Sequence, residues 1–163
     1  NDGENIVHDD GKKSLCKEVT IITNRSNHMP IFTKMDKINV AINDVIIDYA
    51  FDKGISVGEK SKLGGSNIKI TNSEIGITSK DLSKIELEKV EMSNLKLGFT
   101  AFQKKPEYGP GRIIITDLKI NNIEIPFLIE KGSNMIYDNI NVEIVNENVA
   151  DILYGNVFGK SSQ

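Results

Sequence analysis

Apolar and polar residues alternate along most of this chain in short patches of the kind that form β-strands. Between Ile85 and Ala101, apolar side chains recur at every second position in three such patches, which are separated by polar residues or glycine. Alternation places apolar side chains on one face of a strand, and no copy of the pattern shows the 3.6-residue period of a helix. The pattern therefore predicts an all-β protein.

The patches belong to a repeat. A frame of apolar-x-apolar-x-Asn-x-x-apolar-Gly contains Asn72 and Asn94, and a third copy with Asn122 ends in Pro126 instead of glycine. The glycines that close the other copies are 22 residues apart: Gly54, Gly76 and Gly98. A period of about 20 to 25 residues indicates a leucine-rich repeat or a parallel β-helix. Each copy of a leucine-rich repeat needs a helical or irregular segment on its back side. No copy here shows a helical period, so the pattern favours the β-helix.

The fold that we predict is a right-handed parallel β-helix, a solenoid of about five coils with a 22-residue repeat and three short strands per coil. Stacked coils would place the three asparagines one above another at an inward bend, where each amide bonds the backbone or the next amide. The glycines would serve a bend that needs positive φ or close approach. We expect an N-terminal cap or degenerate coil over residues 1–36, repeats over 37–143, and a fading coil with a cap over 144–163.

Composition narrows the class of protein. The 163 residues suit one domain, and the net charge of −3 gives no reason to propose a nucleic-acid partner. No stretch reaches the roughly 18 apolar residues of a membrane span. Cys16 is the single cysteine, so the sequence supplies neither an internal disulfide nor a thiolate metal site. Because the chain begins with Asn1 rather than methionine, we expect it to be part of a longer protein.

The segments DKGISVGEKS, IGITSKDLS, LGFTAFQKKPEYG and FLIEKGS resemble a right-handed parallel β-helix repeat of bacterial secreted and cell-surface proteins. Some proteins with this repeat carry an upstream domain related to spore-coat kinases, and others are carbohydrate enzymes similar to pectate lyases or alginate epimerases. The resemblance spans residues 38–143. It implies an extracellular or cell-surface location, and it specifies fold better than activity because the same solenoid serves enzymes, adhesins and spacers.

A binding face is predicted beside the recurring glycine. If the strand alternates, the second and fourth residues after each glycine face solvent. Those positions include Thr78, Thr100 and Phe102, and the aromatic ring would serve as a stacking platform for a polysaccharide. Six extra residues in the third copy form a loop that would overhang this face, and its candidate binding residues are Lys104, Glu107, Tyr108 and Arg112. A solvated β face with one stray aromatic residue is the alternative.

Catalytic candidates are few. Glu59 and Asp81 occupy the fifth position after the glycine in neighbouring copies, and Lys80 lies beside them. Two stacked carboxylates would repel and raise one pKa, and a pair about 5 Å apart suits retaining glycoside hydrolysis. A solvated, charge-balanced turn explains the same residues. Lyases of the resembled fold use clustered acidic and basic side chains, whereas arginine occurs only at Arg25 and Arg112.

Metal and cofactor chemistry have no sequence signal. His8 and His28 lack zinc-ligand spacing, and no glycine-rich loop introduces a helix as nucleotide sites require. We therefore predict no metal and no cofactor. The sequence favours a non-catalytic β-helical module, structural or carbohydrate-binding, within a larger bacterial surface or secreted protein. The alternative is a carbohydrate-active enzyme, a polysaccharide lyase or a glycoside hydrolase, that acts along the solenoid face.

Overall fold

A computed structural model describes residues 15–16, 19–22, 39–145 and 147–155, and the first two segments are described as backbone only. Within these ranges the chain is mostly strand, with one short helix. Most of the predicted N-terminal segment 1–36, including both histidines, lies outside the described residues. The strands are β1 (Leu15–Cys16), β2 (Val19–Ile22), β3 (Asn39–Asp48), β4 (Lys53–Val57), β5 (Lys62–Lys80), β6 (Lys84–Phe102), β7 (Arg112–Ile129), β8 (Asn134–Tyr137) and β9 (Ile140–Asn141), and the helix is α1 (Val149–Tyr154).

The strands form one sheet in which nearly all pairs are parallel. The order is β1-β3-β5-β6-β7-β8-β9, β2 also pairs with β3, and β4 pairs with β5. Among the strands that the structure describes, only β8 and β9 are antiparallel. The register follows the sequence repeat, because Ile68 pairs with Val90 and Val90 pairs with Leu118. The longer step from β6 to β7 accommodates the extra loop after Lys105. The predicted all-β character is confirmed, but three strands are long, with 18 or 19 residues each, because pairing continues through their bends.

The asparagine of each repeat lies at such a bend. Asn72, Asn94 and Asn122 have φ values of 49°, 58° and 51°, a left-handed conformation that asparagine adopts more readily than most residues. The Asn122 amide donates to the Asn94 side-chain oxygen at 2.8 Å, and Asn94 donates to Asn72 at 3.0 Å. The predicted amide stack is therefore confirmed. The prediction of an inward bend is wrong, since Asn94 and Asn122 are exposed while Met92 and Leu95 fill the interior.

The main core consists of equivalent apolar residues from successive strands. Ile70 and Met92 are paired and are no more than 2% exposed, and Ile77 and Phe99 are paired and fully buried. Full burial of such a side chain stabilises the fold by about 1.5 to 3 kcal/mol. The Phe99 ring also stacks on Phe127 of β7 with centroids 6.0 Å apart.

Gly76 and Gly98, which occupy equivalent places in successive repeats, are explained by the close approach of neighbouring strands and not by an unusual φ. A Cβ on Gly98 would lie 2.5 Å from the carbonyl oxygen of Pro126, and a Cβ on Gly76 would lie 2.6 Å from that of Gly98. Neither glycine has a positive φ. The predicted close approach is confirmed, and it is the absence of a side chain that lets neighbouring strands meet here.

After β7 the repeat gives way to a different arrangement. Of the described strands that follow β7, only β8 pairs with it in parallel; the chain then reverses into β9, and a single bridge joins Val145 to Glu130. The helix α1 follows Asn148, whose side chain accepts a hydrogen bond from the Asp151 N–H at 3.2 Å and so caps the first turn. This helix was not predicted, because the sequence pattern indicated only a fading coil and a cap over residues 144–163.

Candidate functional site

The predicted binding face is buried. Thr78, Thr100 and Phe102 are each 0% exposed, and the Thr100 hydroxyl donates to the Thr78 hydroxyl at 2.9 Å. The prediction that these positions face solvent is wrong, because α1 packs over Phe102 and the two threonines are buried with their hydroxyl groups bonded to each other. Val149 and Leu153 of α1 pack with Phe102 in a second hydrophobic cluster.

Phe102 consequently contacts protein rather than solvent. Its ring centroid lies 6.4 Å from that of Tyr154, the last residue of α1, with the ring planes tilted by 59°. Full burial leaves no ring face open to a sugar. The prediction that Phe102 is an exposed stacking platform is therefore also wrong.

Asp81 is buried in a turn and organises the backbone. It is 1% exposed, has a φ of 54°, and its Oδ1 accepts hydrogen bonds from the N–H groups of Lys104 and Lys105, each at 2.8 Å. Its Oδ2 is buried with no hydrogen-bond partner among the described groups. The solvated turn that we considered for Asp81 is contradicted by this burial. The carboxylate instead fixes the start of the loop that follows β6.

Glu59 lies in the equivalent turn of the preceding repeat, at a φ of 54°. Its Oε1 accepts from the Lys105 ammonium, and the side chain is partly buried. This contact raises the pKa of Lys105, chiefly through the hydrogen bond. The loop is thus tied to two successive turns, by its backbone to Asp81 and by its Lys105 side chain to Glu59.

Gln103, which was not among the predicted site residues, holds the loop closed. Its Nε2 donates to the carbonyl oxygens of Lys105, Pro106 and Tyr108, the last at 2.8 Å. Glutamine gave no signal in the sequence because its role depends on three carbonyls that converge only when the loop is folded.

The other loop candidates are spread along its surface. Tyr108 is half-buried, and the ammonium groups of Lys60 and Lys105 lie 5.2 Å and 5.6 Å from its ring centroid. Glu107 is exposed, and so is Arg112, which begins β7. The structure therefore gathers Glu59, Lys105 and Tyr108 in one place, while Phe102 lies beneath α1.

Two lysines lie beside the Tyr154 ring at the C-terminal end of α1, and a third, Lys80, is near enough for their charges to affect its pKa. The Lys53 and Lys104 ammonium groups lie 5.2 Å and 4.2 Å from the centroid of the Tyr154 ring. Burial lowers the pKa of Lys80, and the neighbouring charges of Lys104 and then Lys53 lower it further, against smaller opposing effects of Asp81 and Glu59. Lys53, Lys80, Lys104 and Tyr154 are hereafter the lysine cluster.

Two members of the lysine cluster, Lys53 and Tyr154, were missed from the sequence. Lys53 is only 6% exposed and pairs with Asp52 at 2.6 Å. Burial raises the pKa of Tyr154 to about 12, and the charges of Asp52 and Asp81 contribute. Perturbed pKa values that coincide with clustered charges are a feature of functional sites. The cluster forms only through α1, so no spacing in the sequence could have revealed it.

A shallow groove of about 350 Å³ runs beside the amide stack. Its lining includes Tyr49, which is 55% exposed, together with Asn94, Asn122 and the ion pair between Lys96 and Glu74 at 2.9 Å. We call this feature the amide groove.

Neither a metal centre nor a membrane-spanning helix occurs in the part of the chain that the structure describes. There, no three His, Cys, Asp or Glu side chains are grouped so that they could hold a metal ion. No helix in the same residues is long and apolar enough to cross a bilayer.

Comparisons with protein-family models, with curated proteins and with solved structures find no match to this chain. Its candidate function consequently rests on its own residues and geometry.

Proposed function

We propose that this chain is a non-catalytic structural module whose strands wind as a right-handed parallel β-helix. The observation that carries the proposal is the unbroken parallel register from β3 through β5 and β6 to β7, which matches the sequence repeat at every step. A stack of this kind distributes stability over nearest-neighbour contacts between coils and provides a rigid support.

The bends favour a coil with three sides. In β5 and β6, left-handed residues divide each long strand at two matching points, Asn67 with Lys89 and Asn72 with Asn94. A third matching turn, which contains Asp81, closes the coil after β5. Because equivalent bends lie in the same register, each coil can repeat the path of the one before it.

The acids that we considered for catalysis have structural contacts. Asp81 binds two backbone N–H groups and Glu59 binds Lys105, so both carboxylates hold the loop after β6. Lys80 lies in the lysine cluster instead of between them. These contacts favour the structural role over the carbohydrate-active enzyme that we kept as the alternative.

Deletion of one whole coil tests the proposed winding. Removal of residues 62–83 connects Ser61 directly to Lys84, so β6 can pair with β3 and β4 in the register that β5 now occupies. We therefore expect a folded protein with one cooperative unfolding transition. Removal of residues 62–72 takes out half a coil and should abolish that transition. Equal loss of folding in both deletions, measured by circular dichroism during urea unfolding, would overturn the β-helix.

Assays of polysaccharide cleavage test the non-catalytic part of the proposal. A panel of neutral and acidic polysaccharides should show no new reducing ends or unsaturated products with the wild-type protein. Cleavage that is lost in Asp81→Asn, while the variant stays folded, would establish the enzyme instead.

Carbohydrate binding is a second candidate, and the amide groove is the observation that favours it. Asn94 donates one N–H to Asn72 and accepts one from Asn122, which leaves its second N–H and part of its oxygen for a ligand hydroxyl. Exposed Tyr49 adds an apolar face with a polar tip next to these amides. A sugar chain presents the complementary combination of hydroxyl groups and apolar ring faces.

A glycan array tests this second candidate. We expect wild type to retain a subset of neutral glycans and Tyr49→Ala to lose them, whereas Leu82→Ala, which removes another exposed apolar side chain outside the groove, should retain them. Absence of binding by the folded wild-type protein would leave the structural role alone.

A further inference from the structure

The stack of parallel strands ends at one edge of β7. β6 pairs with β7 from Arg112 to Ile129, whereas on the opposite side β8 pairs with it only from Arg112 to Ile115. Among the strands that the structure describes, none lies against residues 119–125 on that side. We call residues 119–125 of β7 the open edge. An uncovered strand edge presents backbone N–H and C=O groups to which another strand can add.

The open edge exposes apolar side chains at positions that the repeat buries in the two preceding strands. Ile120 pairs with Met92 and Ile125 pairs with Leu97. The two isoleucines are 38% and 40% exposed, but Met92 and Leu97 are only 2% and 0% exposed. β6 covers β5 and β7 covers β6, so these positions of β7 differ from their equivalents by the absence of a strand above them.

Two columns of alternating charge also end at the open edge. Their members are Lys69, Glu91 and Lys119 in the first column, and Glu74, Lys96 and Glu124 in the second. An ion pair joins the first two members of each column, at 3.5 Å and 2.9 Å respectively. The pKa of Lys96 is raised chiefly by its hydrogen bond to Glu74, and the charge of Glu124 adds to this effect. Lys119 and Glu124 themselves form no ion pair with a residue that the structure describes.

We propose that the open edge binds an extended strand of a partner protein, which adds parallel to β7 as the next layer of the stack. Continued alternation of the charges requires an acidic residue above Lys119 and a basic residue above Glu124. The Asn122 amide donates to Asn94 and keeps its own side-chain oxygen for a further asparagine. The partner strand therefore reads apolar, acidic, apolar, polar, Asn, apolar, basic, apolar.

A single strand fits the open edge better than a second folded copy of this chain does. The layer above β7 is already occupied on both flanks, by β8 at Arg112–Ile115 and by Val145 at Glu130. An extended segment fits between these flanks, whereas a second copy would bring its own terminal strands against them. This inference goes beyond the structural role, and the open edge adjoins the amide groove, whose lining includes Asn122 and Glu124.

Fluorescence anisotropy of a labelled peptide measures this binding. The probe has the sequence of residues 90–98, VEMSNLKLG, which follows the required order. The control peptide carries Glu91→Lys and Lys96→Glu, so its composition is identical and its two charges are exchanged. Like charges directly opposite each other weaken strand pairing, so the control peptide should bind wild type about 5- to 50-fold more weakly.

Exchange of the charges in the protein gives the reciprocal test. Lys119→Glu combined with Glu124→Lys changes only exposed side chains, so the double variant should fold and should prefer the control peptide by a similar factor. Ile120→Ser should weaken binding of the probe about fivefold or more. Ile46→Ser is the matched control, because Ile46 is also exposed but lies on β3, which has β2 on one side and β5 on the other.

Hydrogen exchange locates the bound peptide, which should protect amides of residues 119–125, and circular dichroism verifies that each variant is folded. The proposal is overturned if neither peptide binds saturably, or if wild type and the double variant prefer the same peptide. Self-association of wild type that Ile120→Ser abolishes, measured by analytical ultracentrifugation, would assign the open edge to a second copy of the chain and also overturn it.

Discussion

Replacement of Asp81 by alanine should destabilise the protein by about 2 to 5 kcal/mol. The carboxylate accepts two backbone hydrogen bonds at 2.8 Å, and bonds to a charged group contribute about 1.5 to 3 kcal/mol each. Alanine at a φ of 54° adds about 1 kcal/mol of backbone strain. Alanine also removes the buried Oδ2, which has no hydrogen-bond partner, and this stabilises the variant by about 1 to 3 kcal/mol. The loss of the two hydrogen bonds is the larger effect.

Asp138 offers a matched control for Asp81. It also has a positive φ, 47°, and its carboxylate accepts from the N–H groups of Asp117 and Leu118, but it is exposed. Water can replace the lost acceptor there, so Asp138→Ala should cost only about 0.5 to 1.5 kcal/mol. Urea unfolding of both variants gives the comparison. If Asp81→Ala costs no more than Asp138→Ala, the buried carboxylate does not hold the loop as we argue.

Three further predictions concern the strands and α1. Gly98→Ala should destabilise the protein by about 1 to 3 kcal/mol because its Cβ would meet a backbone oxygen, whereas Gly64→Ala, whose Cβ would lie 3.8 Å from the nearest atom, should be tolerated. Equal urea midpoints for the two variants would refute the close approach. Asn94→Ala should cost about 1 to 3 kcal/mol through two amide bonds and its φ of 58°, and Asn94→Gly, which keeps the backbone relaxed, should cost less in the same assay. Because the pKa of Tyr154 is raised to about 12 in the folded protein, its contribution to the free energy of unfolding is fully present below about pH 10 and is lost as pH rises from about 10 to 12. Urea unfolding at several pH values should show this loss in wild type and a smaller one in Tyr154→Phe. The same dependence of unfolding free energy on pH in both proteins would contradict the prediction.

The strand pattern and the amide stack could be predicted because both follow from a local repeat. Alternating apolar residues identify the strands, and a fixed interval places equivalent residues in register, as the pairing of Ile70 with Met92 shows. The asparagine at a constant place in the frame identifies the bend, since few other residues adopt a left-handed backbone readily. Each of these signals is contained within about one repeat of sequence.

The candidate site could not be predicted in the same way because it depends on distant segments. Phe102 follows an alternation that would expose it on an isolated strand, yet α1, which lies more than 40 residues further along the chain, packs against it. Lys53 and Tyr154 likewise meet only through tertiary packing. A local pattern specifies which way a side chain points relative to its strand, but not what packs above it.

A disulfide test of the stacking register bears most directly on the central claim. Lys69, Glu91 and Lys119 are exposed and lie on successive strands, with Lys69 paired to Glu91 and Glu91 paired to Lys119. Strand neighbours are about 4.8 Å apart, within the Cα separation that a disulfide spans, whereas the outer two residues are about twice as far apart.

The measurement compares two double variants in a Cys16→Ser background under mild oxidation. Lys69→Cys with Glu91→Cys should form an intramolecular disulfide in the folded protein, and Lys69→Cys with Lys119→Cys should not. Mass spectrometry of peptides from the oxidised proteins identifies each bridge. A bridge in the second pair but not the first would contradict the stacked parallel register on which the proposed function depends.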